Sequence, residues 1–276
     1  MINAVRQSSP LLKAAAGLVA ALVAVSLCAQ WIAPFDPLAQ DVLRRLKGPD
    51  AAHWLGTDQF GRDLLSRVIF GMRASLGVSV AAVAIALMCG GMLGLVAAYY
   101  RNAVDRVAMR AMDMLFAFPV MLLAIGVVAI LGPGSMTTSL AIAVVYTPIF
   151  ARLLRGPALV IAQSDYVMNA RSVGASGLRI ILHHILPNLA SVVLVQSSLL
   201  LSAAILVEAS LSFLGLGVQP PAPSLGAMLA EGRNFLLLSP WSAIFSGLAI
   251  LILAFALNLL GDVLRDALDP RLRGEK

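Results

Sequence analysis

Ala74-Ser-Leu-Gly-Val-Ser-Val-Ala-Ala-Val-Ala-Ile-Ala-Leu-Met-Cys-Gly-Gly-Met-Leu-Gly-Leu-Val-Ala-Ala-Tyr-Tyr100 contains no Asp, Glu, Lys or Arg. About 20 mostly apolar residues in a helix cross the hydrocarbon core of a bilayer. This run is long enough, and it has company. Residues 14–35, 114–151, 185–207 and 234–261 are charge-free as well. The 114–151 interval is cut by Gly132-Pro133-Gly134-Ser135, a strong turn signal, and divides into two helices. Six spans are expected, near 13–33, 75–100, 107–131, 136–155, 190–213 and 242–262. Residues 209–230 also lack charge between Glu208 and Glu231. Gly215, Gly217, Pro220, Pro221 and Pro223 argue against a regular helix there, so 214–241 reads as a loop.

The composition agrees. Of 276 residues, 60% are apolar and only 12% charged, against about one quarter charged in soluble domains. Mean hydropathy is +0.90. These values exclude a disordered chain, a nucleic-acid-binding module and an ordinary soluble enzyme. Cys28 and Cys89 both lie in apolar runs, which leaves no disulfide framework and no Cys-based zinc site. Arg6 and Lys13 precede the first apolar run as they would in a signal peptide. No small-x-small cleavage site closes the run, and it reads as an uncleaved span.

Basic residues orient the chain. With the N-terminus inside, 13 of the 20 fall on inner segments: Arg6, Lys13, Arg101, Arg106, Arg110, Arg152, Arg155, Arg171, Arg179, Arg265, Arg271, Arg273 and Lys276. The other seven, Arg44, Arg45, Lys47, Arg62, Arg67, Arg73 and Arg233, fall outside. The excess predicts cytoplasmic termini, 1–12 and 265–276, around a core over 74–264. An outer segment, 34–73, and an inner one, 156–189, are the long connections.

In the inner segment two short helices are expected, Asp165–Val173 and Leu178–Leu186, around Gly174-Ala175-Ser176-Gly177. Leu178, Ile181, Leu182 and Ile185 form an apolar stripe in the second. In the first, Tyr166, Ala170 and Val173 share a face and Arg171 lies off it. Pro187 is expected to end the second helix before the fifth span. Periodicity alone is equally compatible with a hairpin on the inner leaflet and with a docking element for a cytosolic partner.

The stretch Tyr166–Asn188 resembles the EAA loop of ABC importer permeases: Gly174, nine residues, then His184-Ile185-Leu186-Pro187. Met168-Asn169-Ala170 stands where Glu-Ala-Ala is usual, so this chain lacks the acid. His53–Leu76, Arg110–Pro119, Glu208–Gly226 and Asn258–Arg271 are similar, in order, to the second permease subunit of dipeptide, oligopeptide and nickel importers. The resemblance implies an all-α, six-helix, type I ABC importer permease fold in a bacterial inner membrane. It implies a non-catalytic subunit working with a second homologous permease, two cytosolic ABC ATPases and an extracytoplasmic binding protein. ATP and Mg would be bound by the ATPases. No Gly-x-x-x-x-Gly-Lys-[Ser/Thr] occurs in this chain to cradle a nucleotide phosphate.

By the resemblance, with the apolar face beside it, Tyr166, Val167, Ala170 and Val173 form the seat for an ATPase. Arg171, Gly174, Ala175 and Pro187 complete the coupling loop. Asp58, Arg62, Asp63, Arg67 and Arg73 are expected at the outer entrance, as an ion-pair network or as substrate contacts. Glu208 is an acid set inside a span, which is costly and marks either function or a structural pair with an Arg or a helix end. Asp113 is expected to neutralise Arg110 or Arg106. Pro119 and Pro148 are expected to bend their spans, and Gly90-Gly91-x-x-Gly94 to pack closely. Adjacent His183 and His184 point about 100° apart on a helix and do not suggest a metal site.

A secondary transporter would need ionisable groups lining its core, and an intramembrane enzyme a catalytic motif. Neither is evident. Peptides are the expected cargo, with nickel or a metal chelate the alternative. No residue chooses between them.

Overall fold

A computed structural model describes residues 10–268. Arg6, Arg271, Arg273 and Lys276, with the rest of 1–9 and 269–276, lie outside the described residues. Among those described there is no β-strand, only an isolated bridge between Thr57 and Asp63.

Helix α1 spans Pro10–Leu27, followed by the single turn α2, Ala29–Ile32. Helix α3, Leu64–Ala86, runs through a π-turn at Leu87–Gly91 into α4, Met92–Tyr100. This apolar rod is 37 residues long, about 55 Å at the rise of a helix. It starts ten residues before the expected boundary. Arg67 pairs with Asp58 inside the fold, so its charge did not stop the helix.

The 107–131 span is not one rod. Helices α5, Asn102–Phe116, and α6, Val120–Leu131, meet at 94°. Pro119 supplies no N–H and disfavours helical backbone at the residue before it. α5 is amphipathic, and its Asp105 and Asp113 pair with Arg155 and Arg152 of the helix that follows α6. Asp113 is therefore neutralised across the bundle, not by Arg106 or Arg110. Among the described residues, counting the bent pair as one crossing gives six spans, and five helices are long enough singly.

Helix α7, Ser135–Ile161, contains Pro148 and Pro157 yet stays continuous. It packs along α3 and α4. A Cβ at Gly90 would fall on the carbonyl oxygen of Thr147, and one at Gly94 on that of Ala151. Only hydrogen side chains allow the two backbones to meet this closely. α8, Asp165–Ser172, and α9, Gly177–Ile180, form a helical hairpin. Beyond α9 the chain does not stop at Pro187. A π-turn, Ile181–Ile185, and a 3-10 turn, Leu186–Leu189, carry it directly into α10, Ala190–Phe213. Pro187 sits at the first positions of the 3-10 turn, where its missing N–H costs nothing.

Two further helices follow among the described residues. α11, Leu225–Arg233, occupies part of 214–241, which had been expected to be loop. The glycines and prolines all precede Ser224, so the helix begins beyond them. α12, Trp241–Leu268, packs along α10, α11 and α1. The Pro240 carbonyl accepts from the Ile244 N–H, so Pro240 is the residue that leads into the helix.

Three apolar cores stack along the bundle. One joins α3, α6, α7 and α10 through Ala82, Val128, Phe150 and Ala204. One joins α3, α10, α11 and α12 through Leu64, Ile205, Leu225 and Leu253. The third ties the α8–α9 hairpin to α4 and α7 through Leu95, Leu154, Val167, Ile180 and Ile185. Outside the cores many large apolar side chains are uncovered, Ile130, Leu122 and Phe255 among them, as suits a surface facing lipid or partner helices.

Candidate coupling hairpin and buried ion network

The hairpin begins where α7 ends. Asp165 stands in the first turn of α8 and Arg171 in the last, both favourable to the helix dipole. The end of α8 is a Schellman motif. Ala175 N–H donates to the Ala170 carbonyl and Gly174 N–H to that of Arg171. The motif needs a left-handed residue, and Gly174 has φ +88°. Ser176 then caps α9, its side chain accepting from the Arg179 N–H.

The candidate seat is only partly available. Val167 is fully buried, packed in the third core among Leu154, Ile180 and Ile185, and cannot touch a partner. Val173, at the tip, is 88% exposed, and Tyr166 is about half exposed. Ala170 and Ala175 are half-buried. The apolar stripe of the second arm also divides. Ile181 and Ile185 are buried, while Leu178 and Leu182 look outward. The arms are latched by Asn188, whose amide donates to the Tyr166 hydroxyl at 3.2 Å and to the His184 carbonyl at 2.6 Å. Arg171 lies 4.8 Å over the ring of Tyr99, and the start of α9 abuts Tyr99 and Tyr100. The hairpin is thus fastened to α4 and continuous with α10. It projects Tyr166, Met168, Val173, Leu178 and Leu182 between Arg171 and Arg179.

The 34–63 segment folds over the opposite end. Asp58 is its centre. One carboxylate oxygen accepts from the N–H groups of Phe60 and Arg62 at 2.8 and 2.9 Å. The other takes Arg62 Nε at 2.6 Å and lies 3.3 Å from Arg67 Nε. All three side chains are at most 7% exposed. Glu231 of α11 lies 3.6 Å from Arg62 and accepts from Gln59 at 2.8 Å. Four charges and one amide therefore join the segment, α3 and α11. At the turn, Gly61 has φ +75°, and any Cβ there would overlap the Asp41 carbonyl.

Asp63 and Arg73 do not belong to this network. Asp63 caps α3, accepting from the Ser66 N–H and hydroxyl at 2.8 and 2.7 Å, with His53 Nδ1 at 2.9 Å on its other oxygen. Arg73 is exposed two turns further along α3. Outside the spans, Asp50 accepts the N–H groups of His53 and Ala52. The His53 bond chiefly holds its carboxyl below the usual carboxylate range.

Glu208 is completely buried in α10. Its partner is neither an arginine nor a helix end. The Ser212 hydroxyl, one turn on, donates to Oε1 at 2.6 Å, and the buried Ser75 hydroxyl of α3 adjoins the carboxyl group. Among the described residues no group of three His, Cys, Asp or Glu could hold a metal.

His53, Gln59, Glu231 and Ser212 complete these sites but were not foreseen as partners. Glu231 lies 172 positions from Gln59, and no local spacing reveals such a contact.

The described residues thus form a bundle of long apolar helices, with a helical hairpin at one end and an ion-paired cap at the other. Residues 90–274 match the family described as binding-protein-dependent transport system inner membrane component, and the chain belongs to that family. It is thus a transmembrane subunit of the ABC-importer permease type, in the inner membrane. It is 48% identical over 261 residues to the glutathione transport system permease protein GsiD of Pectobacterium atrosepticum, covering 94% of this chain and 87% of that one. It is 46% identical over 229 residues to the dipeptide transport system permease protein DppC of Alkalihalophilus pseudofirmus, covering 83% and 75%. Among solved structures, inward-facing MetNI methionine ABC transporter matches with TM-score 0.58 at 17% identity, over 75% of this chain and 97% of that one. That likeness concerns the fold.

Proposed function

We propose that this chain is one of two permease subunits lining the pathway of an ATP-driven importer of peptides. The carrying observation is its similarity, over nearly its whole length, to permeases of glutathione and dipeptide systems. Cargo would pass from an extracytoplasmic binding protein into a pathway shared with a second, homologous permease. Two cytosolic ATPases would bind ATP and Mg and drive the cycle, while this chain holds no nucleotide and catalyses nothing. No nucleic acid is involved.

The excess of basic residues on one side supports cytoplasmic termini. The hairpin then faces the cytosol and the 34–63 segment the exterior. Tyr166, Ala170 and Val173, flanked by Arg171, are the seat for an ATPase, without Val167. Being latched to α4 and continuous with α10, the hairpin would pass a push from the ATPase to those helices as a rigid-body tilt. Asp58, Arg62, Asp63 and Arg67 would hold the outer cap against the helices near the entrance. Glu208 would be a structural acid.

The test is uptake by proteoliposomes holding the complete complex and its binding protein. Labelled dipeptide or glutathione should accumulate only with ATP inside and binding protein outside. Uptake of nickel without peptide would overturn the cargo. Uptake by this chain alone would overturn the mechanism. Val173→Asp should leave the complex assembled and remove peptide-stimulated ATP hydrolysis.

A further inference from the structure

Arg73 stands apart from the other described arginines at its end of the bundle. Arg44 pairs with Asp41, and Arg45 donates to the Gln59 carbonyl. Arg62 and Arg67 share Asp58, and Arg233 lies over Phe213. Arg73 has no hydrogen bond, ion pair or ring contact. Its neighbourhood is a cavity of about 450 Å³ lined by Phe70, Gly77, Val78, Val218 and Pro223, with no acidic residue in the wall. The volume falls within the range of about 300–1,000 Å³ typical of small-molecule sites.

Depth sharpens the question. Arg73 is nine residues from the start of the 37-residue rod, about 14 Å along it. A rod of about 55 Å centred on a core of about 30 Å leaves about 12 Å beyond each face, which places Arg73 at the membrane boundary. A guanidinium there is costly against lipid and is expected to face water, a partner or an anion. It opens a stripe of uncovered positions, Arg73, Gly77, Val80, Ala84 and Met88, that runs at helical spacing from the middle of α3 into the π-turn. Beside Gly77 an added Cβ would meet nothing within 4 Å, so there is room for a ligand one turn below the charge.

We propose that Arg73 is a carboxylate-binding subsite of the pathway, taking the C-terminal carboxylate of a peptide as it enters from outside. The inference rests on the peptide reading above. A planar guanidinium offers paired N–H donors that match a carboxylate in two parallel hydrogen bonds. The acid-free walls, in which Ser135 is the one uncharged polar side chain, leave this positive charge unopposed until such a group arrives. A carboxylate of the second permease has the same chemistry and would be the competing occupant.

The experiment uses the complete complex with Cys28 and Cys89 replaced by serine and Gly77→Cys as a reporter. Labelling of Cys at 77 by a small thiol reagent is timed with millimolar alanyl-phenylalanine, with its C-terminal amide, or with neither. The dipeptide should slow labelling about fivefold or more and the amide should not. Arg73→Gln should abolish protection and lower maximal dipeptide uptake about tenfold, with Arg73→Lys intermediate. Ala222→Cys repeats the measurement from the loop side of the cavity. Equal protection by acid and amide, or protection that survives Arg73→Gln, overturns the subsite and leaves the partner permease as the source of the carboxylate. If the unmodified complex moves no dipeptide, the cargo reading fails and the subsite falls with it.

Discussion

Removing Asp58 should undo the outer cap. In Asp58→Ala the guanidinium groups of Arg62 and Arg67, each at most 7% exposed, lose their shared carboxylate. Glu231, 3.6 Å from Arg62 and partly exposed, can answer only one of them. Breaking one partner of a buried ion cluster costs about 3–5 kcal/mol, because the remaining charge stays desolvated. Part of the loss is local, since the Phe60 and Arg62 N–H groups also lose their acceptor. A cost of that size lowers the closed population by about two to nearly four powers of ten. The assay is limited trypsin digestion of the assembled complex in detergent, following cleavage after Arg44, Arg45 and Lys47 against time and temperature. Asp58→Ala should be cut at least about a hundredfold faster. The triple variant Asp58→Leu, Arg62→Met, Arg67→Met should recover most of the protection, since buried ionic clusters often exchange for apolar side chains near neutrality. If the single variant digests like the unmodified protein, or the triple variant is worse than the single, the reasoning is refuted.

Other perturbations follow the same logic. Gly90→Val or Gly94→Val should prevent the contact with the backbone of Thr147 or Ala151 and abolish assembly, read as loss of the complex on gel filtration. Gly174→Ala meets no atom within 4 Å, so its cost is the left-handed backbone alone, about 1–2 kcal/mol. The complex should form with its ATP hydrolysis less responsive to peptide. The doubly bonded pair Arg155–Asp105 is partly exposed, and a double-mutant cycle with Arg155→Gln and Asp105→Asn should return no more than about 1 kcal/mol in thermal stability. Asp50 has a lowered folded pKa, so its contribution is present above the unfolded carboxylate value and fades as pH falls through the folded one. Hydrogen exchange at the Ala52 and His53 amides should quicken in that acid range, and Asp50→Asn should flatten the response.

Much of the fold was readable because bilayer physics is coarse. A charge-free run of helix-forming length has few alternatives, and the close packing of Gly90 and Gly94 follows from their spacing on one face. The hairpin break was readable too, since Gly174 and Gly177 interrupt two periodic stretches. The misplacements have a common cause, which is that satisfied charges and local breakers act over distances a window does not see. Arg67 and Asp58 neutralise one another, so α3 begins at Leu64 inside a stretch that reads as loop. The prolines before Ser224 concealed α11. Pro119 was expected to bend one span and instead separates two helices of different character. Pro187 was expected to stop a helix and is absorbed by π and 3-10 turns. At the sites, Tyr166 and Val167 were both placed in the seat by the resemblance, yet Val167 is inside the third core and Tyr166 is not. The split of the outer charges into a buried cluster, a helix cap and a lone Arg73 depends on Glu231 and His53, contacts that no spacing announces.

The clasp between Gly90, Gly94 and the carbonyls of Thr147 and Ala151 bears on how motion in the assembled transporter can be measured. Backbones that close cannot slide or separate without steric overlap, so the α4–α7 pair should behave as one body through the cycle. A spectroscopic label pair at Met88 and Val160, both exposed, would then serve as an internal ruler of constant length. Against that ruler, any change between a label on Met88 and one on the partner permease could be assigned to movement between the subunits.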